Sequence, residues 1–180
     1  MIGVLVSGNG SNLQALIDQR LPVVAVASNK PAVRALERAT AAGVPASVFE
    51  LESYRDREGR DAAIADWLEE HGVELVVLAG YMHLLTPAFL ERFPDRIVNV
   101  HPSLLPAFPG AHAIEDALAA GVDTTGVTVH LVDAGLDSGP ILVQEEVPVD
   151  PRETLEERIH AVEHRLLPAA VRDMLARTAA

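Results

Sequence analysis

Ile2-Gly3-Val4-Leu5-Val6-Ser7-Gly8-Asn9-Gly10-Ser11-Asn12-Leu13-Gln14-Ala15-Leu16-Ile17 sets the fold class through a change of hydrophobic period. Residues 2–6 form a continuous apolar run, the pattern of a strand covered on both faces. Leu13, Leu16 and Ile17 then recur at helical spacing. Between them lies a glycine-rich turn. Strand, loop and helix in this order make the opening unit of an α/β sheet.

The alternation continues outward from this unit. Val23 to Ala27 reads as a second buried strand, and Pro31 to Ala42 as a helix closed by Gly43 with Pro45 beyond it. Ser47 to Leu51 is a short candidate strand. Asp61 to Glu70 places Ile64, Trp67 and Leu68 on one helical face, and Leu75 to Ala79 is the strongest strand signal. Thr86-Pro87 has the form of an N-cap followed by a proline at the first helical position. Strand Ile97 to Val100, a helix around Ile114 to Ala120 stopped by Gly121, and strands Val127 to Val132 and Ile141 to Val149 follow. Asp150-Pro151-Arg152-Glu153 supplies an N-cap, a proline and an acid for the last helix, which Pro168 is expected to kink or interrupt. The expected fold is a single α/β, Rossmann-like domain over residues 1–180, with a mostly parallel sheet, helices on both faces and no further domain. Ligands then belong beyond the carboxyl ends of the strands.

Composition narrows the function classes. Hydrophobic residues are 49% of the 180 but aromatics only 4%, so aliphatic side chains must build the core. A formal charge of -12 argues against a nucleic-acid platform, which needs a positive stripe. The absence of Cys removes disulfides, thiolate catalysis and Cys-based zinc sites. Residues 1–6 lack a basic leader, and no stretch reaches the roughly 18 to 20 apolar residues that span a bilayer. A cytoplasmic protein without a membrane partner is expected.

Two loops at strand ends carry the chemistry. In residues 7–12 glycines allow a sharp turn and close approach to a ligand, while the amides opening the next helix suit an anion. No Lys-Ser/Thr pair closes a Walker A loop, and Leu13 stands where a dinucleotide fingerprint wants its third glycine. A single phosphate fits better than NAD, and a plain capped turn is the alternative. In Ile97-Val98-Asn99-Val100-His101-Pro102-Ser103-Leu104-Leu105-Pro106, positions 99 and 101 share a strand face, so a carboxamide and an imidazole can meet at one carbonyl. Pro102, Pro106 and Pro109 stiffen the following loop, and Leu105-Pro106 is the candidate cis bond. A lone His at a strand end is equally readable as a hydrogen-bonded structural residue. Asp133-Ala134-Gly135-Leu136-Asp137-Ser138-Gly139-Pro140 reads locally as a turn. Should Asp137 reach His101, its charge would favour the imidazolium.

Together, residues 6–16, Leu78-Ala79-Gly80-Tyr81-Met82, residues 99–106 and Leu136-Asp137-Ser138-Gly139-Pro140 resemble the glycinamide ribonucleotide formyltransferase family, the folate-dependent transformylases of purine synthesis, in order and approximate spacing. The resemblance implies the formyltransferase fold, 10-formyltetrahydrofolate as co-substrate, glycinamide ribonucleotide as acceptor and no metal. By position it implies that Asn99, His101 and Asp137 are the catalytic trio, and that Gly10, Ser11, Asn12 and Glu163 hold the ribonucleotide. Arg57, Met82, His83, Leu84, Leu85 and Asn99, with Asp133, Ala134, Gly135, Leu136 and Asp137, would line the folate side. Read locally, Met82, Leu84 and Leu85 are core packing and Arg57 a solvated charge. The family usually carries Arg where His83 stands and a basic or larger polar residue at Ala107, and many relatives continue past residues 177–180. His112 and His130 read either as site-lining or as ordinary polar residues.

The related 10-formyltetrahydrofolate hydrolase shares the trio but normally carries an extra N-terminal regulatory domain, whereas the first strand here begins at Ile2. Methionyl-tRNA formyltransferase would want an RNA-binding domain, against the acidic balance. A sugar-phosphate or nucleotide sensor using the glycine loop alone gives no reason for the trio to converge. An exposed patch on such a domain could support a homodimer.

Overall fold

The computed structural model describes residues 1–178. In chain order the elements are β1 (Ile2–Val6), α1 (Ser11–Asp18), β2 (Val23–Ser28), α2 (Arg34–Ala41), β3 (Ala46–Val48), α3 (Arg57–Glu70) and β4 (Leu75–Leu78). They continue with α4 (Pro87–Leu90), β5 (Ile97–His101), α5 (Ala113–Ala120), β6 (Thr124–Leu131), β7 (Ile141–Pro148) and α6 (Leu155–Thr178). Among the described residues the strands form one sheet in the order β3-β2-β1-β4-β5-β6-β7. Pairings from β3 through β5 are parallel, while β6 runs antiparallel to both β5 and β7. The largely parallel α/β architecture expected from the alternating runs is what forms.

Alternation along each strand sends side chains into two separate cores. Val4 and Val6 of β1 and Val77 of β4 meet Leu13, Leu16, Ala35, Ala39, Ile159 and Leu167, on the face covered by α1, α2 and α6. Leu5, Val76, Leu78 and Ile97 point the other way, against Ile64, Ala65, Leu68 and Phe89 of α3 and α4. Leu13 and Leu16 are wholly buried, and side chains of that size contribute about 1.5–3 kcal/mol each when removed from water.

Several boundaries depart from the sequence reading. Helix α2 starts at Arg34 rather than Pro31, because Ala32 sits at φ 52, outside the helical region. The third strand stops at Val48, and residues Leu51–Ser53 form a 3-10 turn. Helix α3 begins four residues before Asp61, where the Asp56 carboxylate caps it by accepting the Gly59 N–H at 2.8 Å. Thr86 makes no side-chain cap to α4, and its N–H instead donates to Asp61 Oδ2 at 2.9 Å. The Leu105-Pro106 peptide is cis as expected, but Asp150-Pro151 is cis as well. A 3-10 turn, Arg152–Thr154, precedes α6, whose first residue is Leu155. Pro168 is buried and does not interrupt that helix.

Candidate active site

Chain reversal places the site. From β1 the strand order runs outward through β2 and β3, then resumes on β1's other side with β4 and β5, leaving a crevice at the carboxyl ends of β1 and β4. A cavity of about 420 Å³ opens there.

The glycine turn forms one wall. Gly10 has φ 75, and a Cβ there would lie 2.6 Å from Ala35 Cβ, so both conformation and space demand glycine. Arg38 holds the turn from behind, donating from Nε to the Asn9 carbonyl and from a terminal nitrogen to Asn9 Oδ1, each at 2.8 Å. No side chain caps α1, which leaves its first amides for an incoming anion. Glu163 of α6 reaches the same wall, where Asn12 Nδ2 donates to its Oε2 at 3.2 Å. Burial raises the Glu163 pKa above 4.5, opposed by the charge of His160 and the Asn12 bond. Asn12 Oδ1 is buried without a partner.

The opposite wall is built on the antiparallel pair. Register sets Asn99 opposite His130 and His101 opposite Thr128, so all four side chains occupy one stretch of the β5–β6 ladder. His101 Nδ1 lies 3.5 Å from Asp137 Oδ2, and His130 Nε2 lies 3.7 Å from Asp137 Oδ1. A backbone carbonyl can only accept, so the 2.8 Å contact of His101 Nε2 with Phe108 O fixes a proton on Nε2. Nδ1 is then the nitrogen free to exchange one. By the same logic His130 donates from Nδ1 to Leu131 O at 2.9 Å, and its Nε2 accepts from Asn99 Nδ2 at 3.2 Å. The second Asn99 N–H remains unspent.

Asp137 is held by its own loop. Its φ is 51, and its Oδ2 accepts the Gly110 N–H at 2.8 Å, tying residues 133–137 to the proline-rich loop. Asp133 Oδ1 organises the near end, accepting from the Gly135 N–H at 2.9 Å and the Ser138 hydroxyl at 2.8 Å.

The cavity gathers Gly10, Ser11, Asn12, Met82, His83, Leu84, Leu85, Asn99, His101, residues 133–137 and Glu163. Arg57 is not among its lining residues. Its exposed guanidinium donates to the carbonyl of Leu84, which does line the cavity. His130, left open by sequence, is buried and lines the site, whereas exposed His112 does not. His160 also lines the cavity, and its only signal in the sequence is that it stands three residues before Glu163 and therefore on the same face of α6. Among the described residues no group of three His, Asp or Glu side chains is arranged to hold a metal ion, and no helix is long and apolar enough to cross a membrane.

A profile of the family described as formyl transferase matches residues 1–171. The Mycobacterium tuberculosis phosphoribosylglycinamide formyltransferase is 51% identical over 176 residues, which cover 93% of this chain and 81% of that protein. A trifunctional purine biosynthetic protein adenosine-3 from Chironomus tentans is 45% identical over 95% of this chain, which spans 13% of that longer protein. The solved structure of phosphoribosylglycinamide formyltransferase from Bacillus halodurans superposes with a TM-score of 0.94 at 40% identity, covering 98% of this chain and 96% of its own.

Proposed function

The chain belongs to the formyl transferase family, and on that premise we propose that it transfers the formyl group of 10-formyltetrahydrofolate to the primary amine of glycinamide ribonucleotide. The products are formylglycinamide ribonucleotide and tetrahydrofolate, and the step belongs to purine biosynthesis. One observation supports this reading above the others: Asn99, His101 and Asp137 converge in the cavity that the glycine turn also lines.

The substrate phosphate takes the amides at the start of α1 around Gly10, Ser11 and Asn12, with Glu163 contacting the rest of the ribonucleotide. Its amine attacks the formyl carbon, a carbon–nitrogen bond forms, and the carbonyl oxygen takes up negative charge. The free Asn99 N–H and a proton on His101 Nδ1 donate to that oxyanion, and loss of one such donor commonly costs about 2.7–4 kcal/mol. Asp137 supplies the counter-charge to the imidazolium. As the intermediate collapses, the bond to the folate nitrogen breaks, and the proton lost by the amine passes to that nitrogen through the His101–Asp137 pair and water. Met82, Leu84, Leu85 and residues 133–137 form the folate side.

Mixing the protein with 10-formyltetrahydrofolate, with and without glycinamide ribonucleotide, tests the reading. Folate release is expected only with the amine. Equal release without it would identify a hydrolase, and binding of either ligand without release would identify a sensor.

A further inference from the structure

Behind the folate-side wall runs a buried polar chain to which the reaction as derived assigns no part. Arg60 has 0% exposure. It binds Asp61 Oδ1 from Nε at 3.0 Å and from one terminal nitrogen at 2.8 Å, which leaves the other terminal nitrogen 2.5 Å from His83 Nδ1. Adjacent residues of a helix do not ordinarily face each other, and a buried ion pair recovers its desolvation cost only with further hydrogen bonds. Both of those further bonds go to one loop. The guanidinium reaches His83, and Asp61 Oδ2 takes the Thr86 N–H.

A guanidinium can only donate, so His83 Nδ1 accepts and its ring is neutral, with the proton on Nε2. Burial lowers the His83 pKa, helped by Arg60 and Arg57 and by Lys30, with Asp61 opposing. Asn29 Nδ2 lies 3.4 Å from Nε2, a contact between two donors that holds no hydrogen bond, while Asn29 Oδ1 accepts from the Ser7 hydroxyl at 2.6 Å. Ser7 Oγ in turn accepts the Met82 N–H at 2.9 Å. Met82, His83, Leu84 and Thr86 are thus each anchored from behind, while the Met82 and Leu84 side chains stay 57% and 51% exposed at the cavity.

We propose that Arg60 is a positioning residue: acting through the acceptor nitrogen of His83 and through Asp61, it fixes residues 80–86 so that Met82, Leu84 and Leu85 present a preformed apolar wall to the formyl donor. This rests on the formyl-transfer reading. The phosphate side has a separate brace in Arg38, so loss of the Arg60–His83 contact falls on one substrate and not the other.

Steady-state kinetics with both substrates varied, on His83→Phe, His83→Asn and Arg60→Met, test the proposal. His83→Phe and Arg60→Met are expected to raise KM for the formyl donor about tenfold, with kcat changed less than about threefold and KM for the ribonucleotide unchanged. His83→Asn, whose Oδ1 stands near the former Nδ1, is expected to restore most of the loss. Equal losses for both substrates, or an Asn variant no better than Phe, overturn the proposal. The half-buried position 83 carries the comparison if Arg60→Met does not fold. Nitrogen NMR of the native ring reads the contact without turnover: a protonated Nε2 and bare Nδ1 are expected, and a protonated Nδ1 refutes the proposal. A native protein that shows this ring signature but transfers no formyl group instead refutes the reaction assigned above.

Discussion

His101 Nε2 is bound to the Phe108 carbonyl at 2.8 Å while its Nδ1 faces Asp137 Oδ2 across 3.5 Å. One nitrogen is locked as a donor, and the other is held beside an acid at a distance longer than the roughly 2.7–2.9 Å of a tight charge-assisted bond. The ring therefore has a fixed orientation and a single exchangeable site. That arrangement suits a group that must take up and release a proton without moving.

Asp137→Asn keeps the side chain's size and its acceptor for the Gly110 N–H while removing the charge. Turnover is expected to fall about 10²- to 10⁴-fold. Ribonucleotide affinity, measured by calorimetry, is expected to stay within a factor of about three, because the phosphate site proposed above lies at the far wall. Parallel losses in both would remove the division of roles between the two walls.

Gly10→Ala probes that far wall. The added Cβ meets Ala35 at 2.6 Å and must adopt a left-handed φ, together costing more than about 1 kcal/mol. Lower thermal stability and weaker binding of the ribonucleotide are expected, with kcat at saturation little changed. A variant that binds as tightly as the native chain would exclude the turn from phosphate recognition.

Much of this was legible from residue periods. Unbroken apolar runs gave β1 and β4, and alternation along β5 put Asn99 and His101 on one face. The first turn of α3 is hidden in the sequence because Arg57, Glu58, Gly59 and Arg60 offer no apolar stripe, and its signal lies in Asp56 as a cap. His130 is undecided in local sequence because its placement opposite Asn99 depends on pairing with β5, which is not local. The buried Arg60–Asp61 pair carries no pattern that separates it from a solvated helix charge.

Glu163 ties stability to pH. Its pKa is raised by burial above 4.5, so its contribution to stability is complete below pH 4.5 and is lost as pH rises through the folded-state value. Replacing the acid with an uncharged amide removes that loss. Glu163→Gln is expected to melt roughly 2–4 °C higher at pH 7. The gain should vanish below pH 4.5, while ribonucleotide binding weakens. A variant less stable than the native chain at pH 7 would contradict the sign.

Thr128 holds the loop that follows His101 through one hydroxyl. Fully buried opposite His101, its Oγ1 donates to Ser103 O at 2.7 Å and accepts from the Leu105 N–H at 3.1 Å and Gln144 Nε2 at 2.9 Å. Thr128→Val preserves volume, so it opens no cavity, but it strands the buried Leu105 N–H and Ser103 carbonyl. A loss of about 1–3 kcal/mol in chemical denaturation is expected. The same loop carries the Phe108 carbonyl that orients His101, so kcat should fall about tenfold with little change in ribonucleotide affinity. Thr128→Ser retains the hydroxyl and should stay near the native kcat. Native turnover in the Val variant would mean that the loop is positioned by its prolines and packing rather than by this hydroxyl.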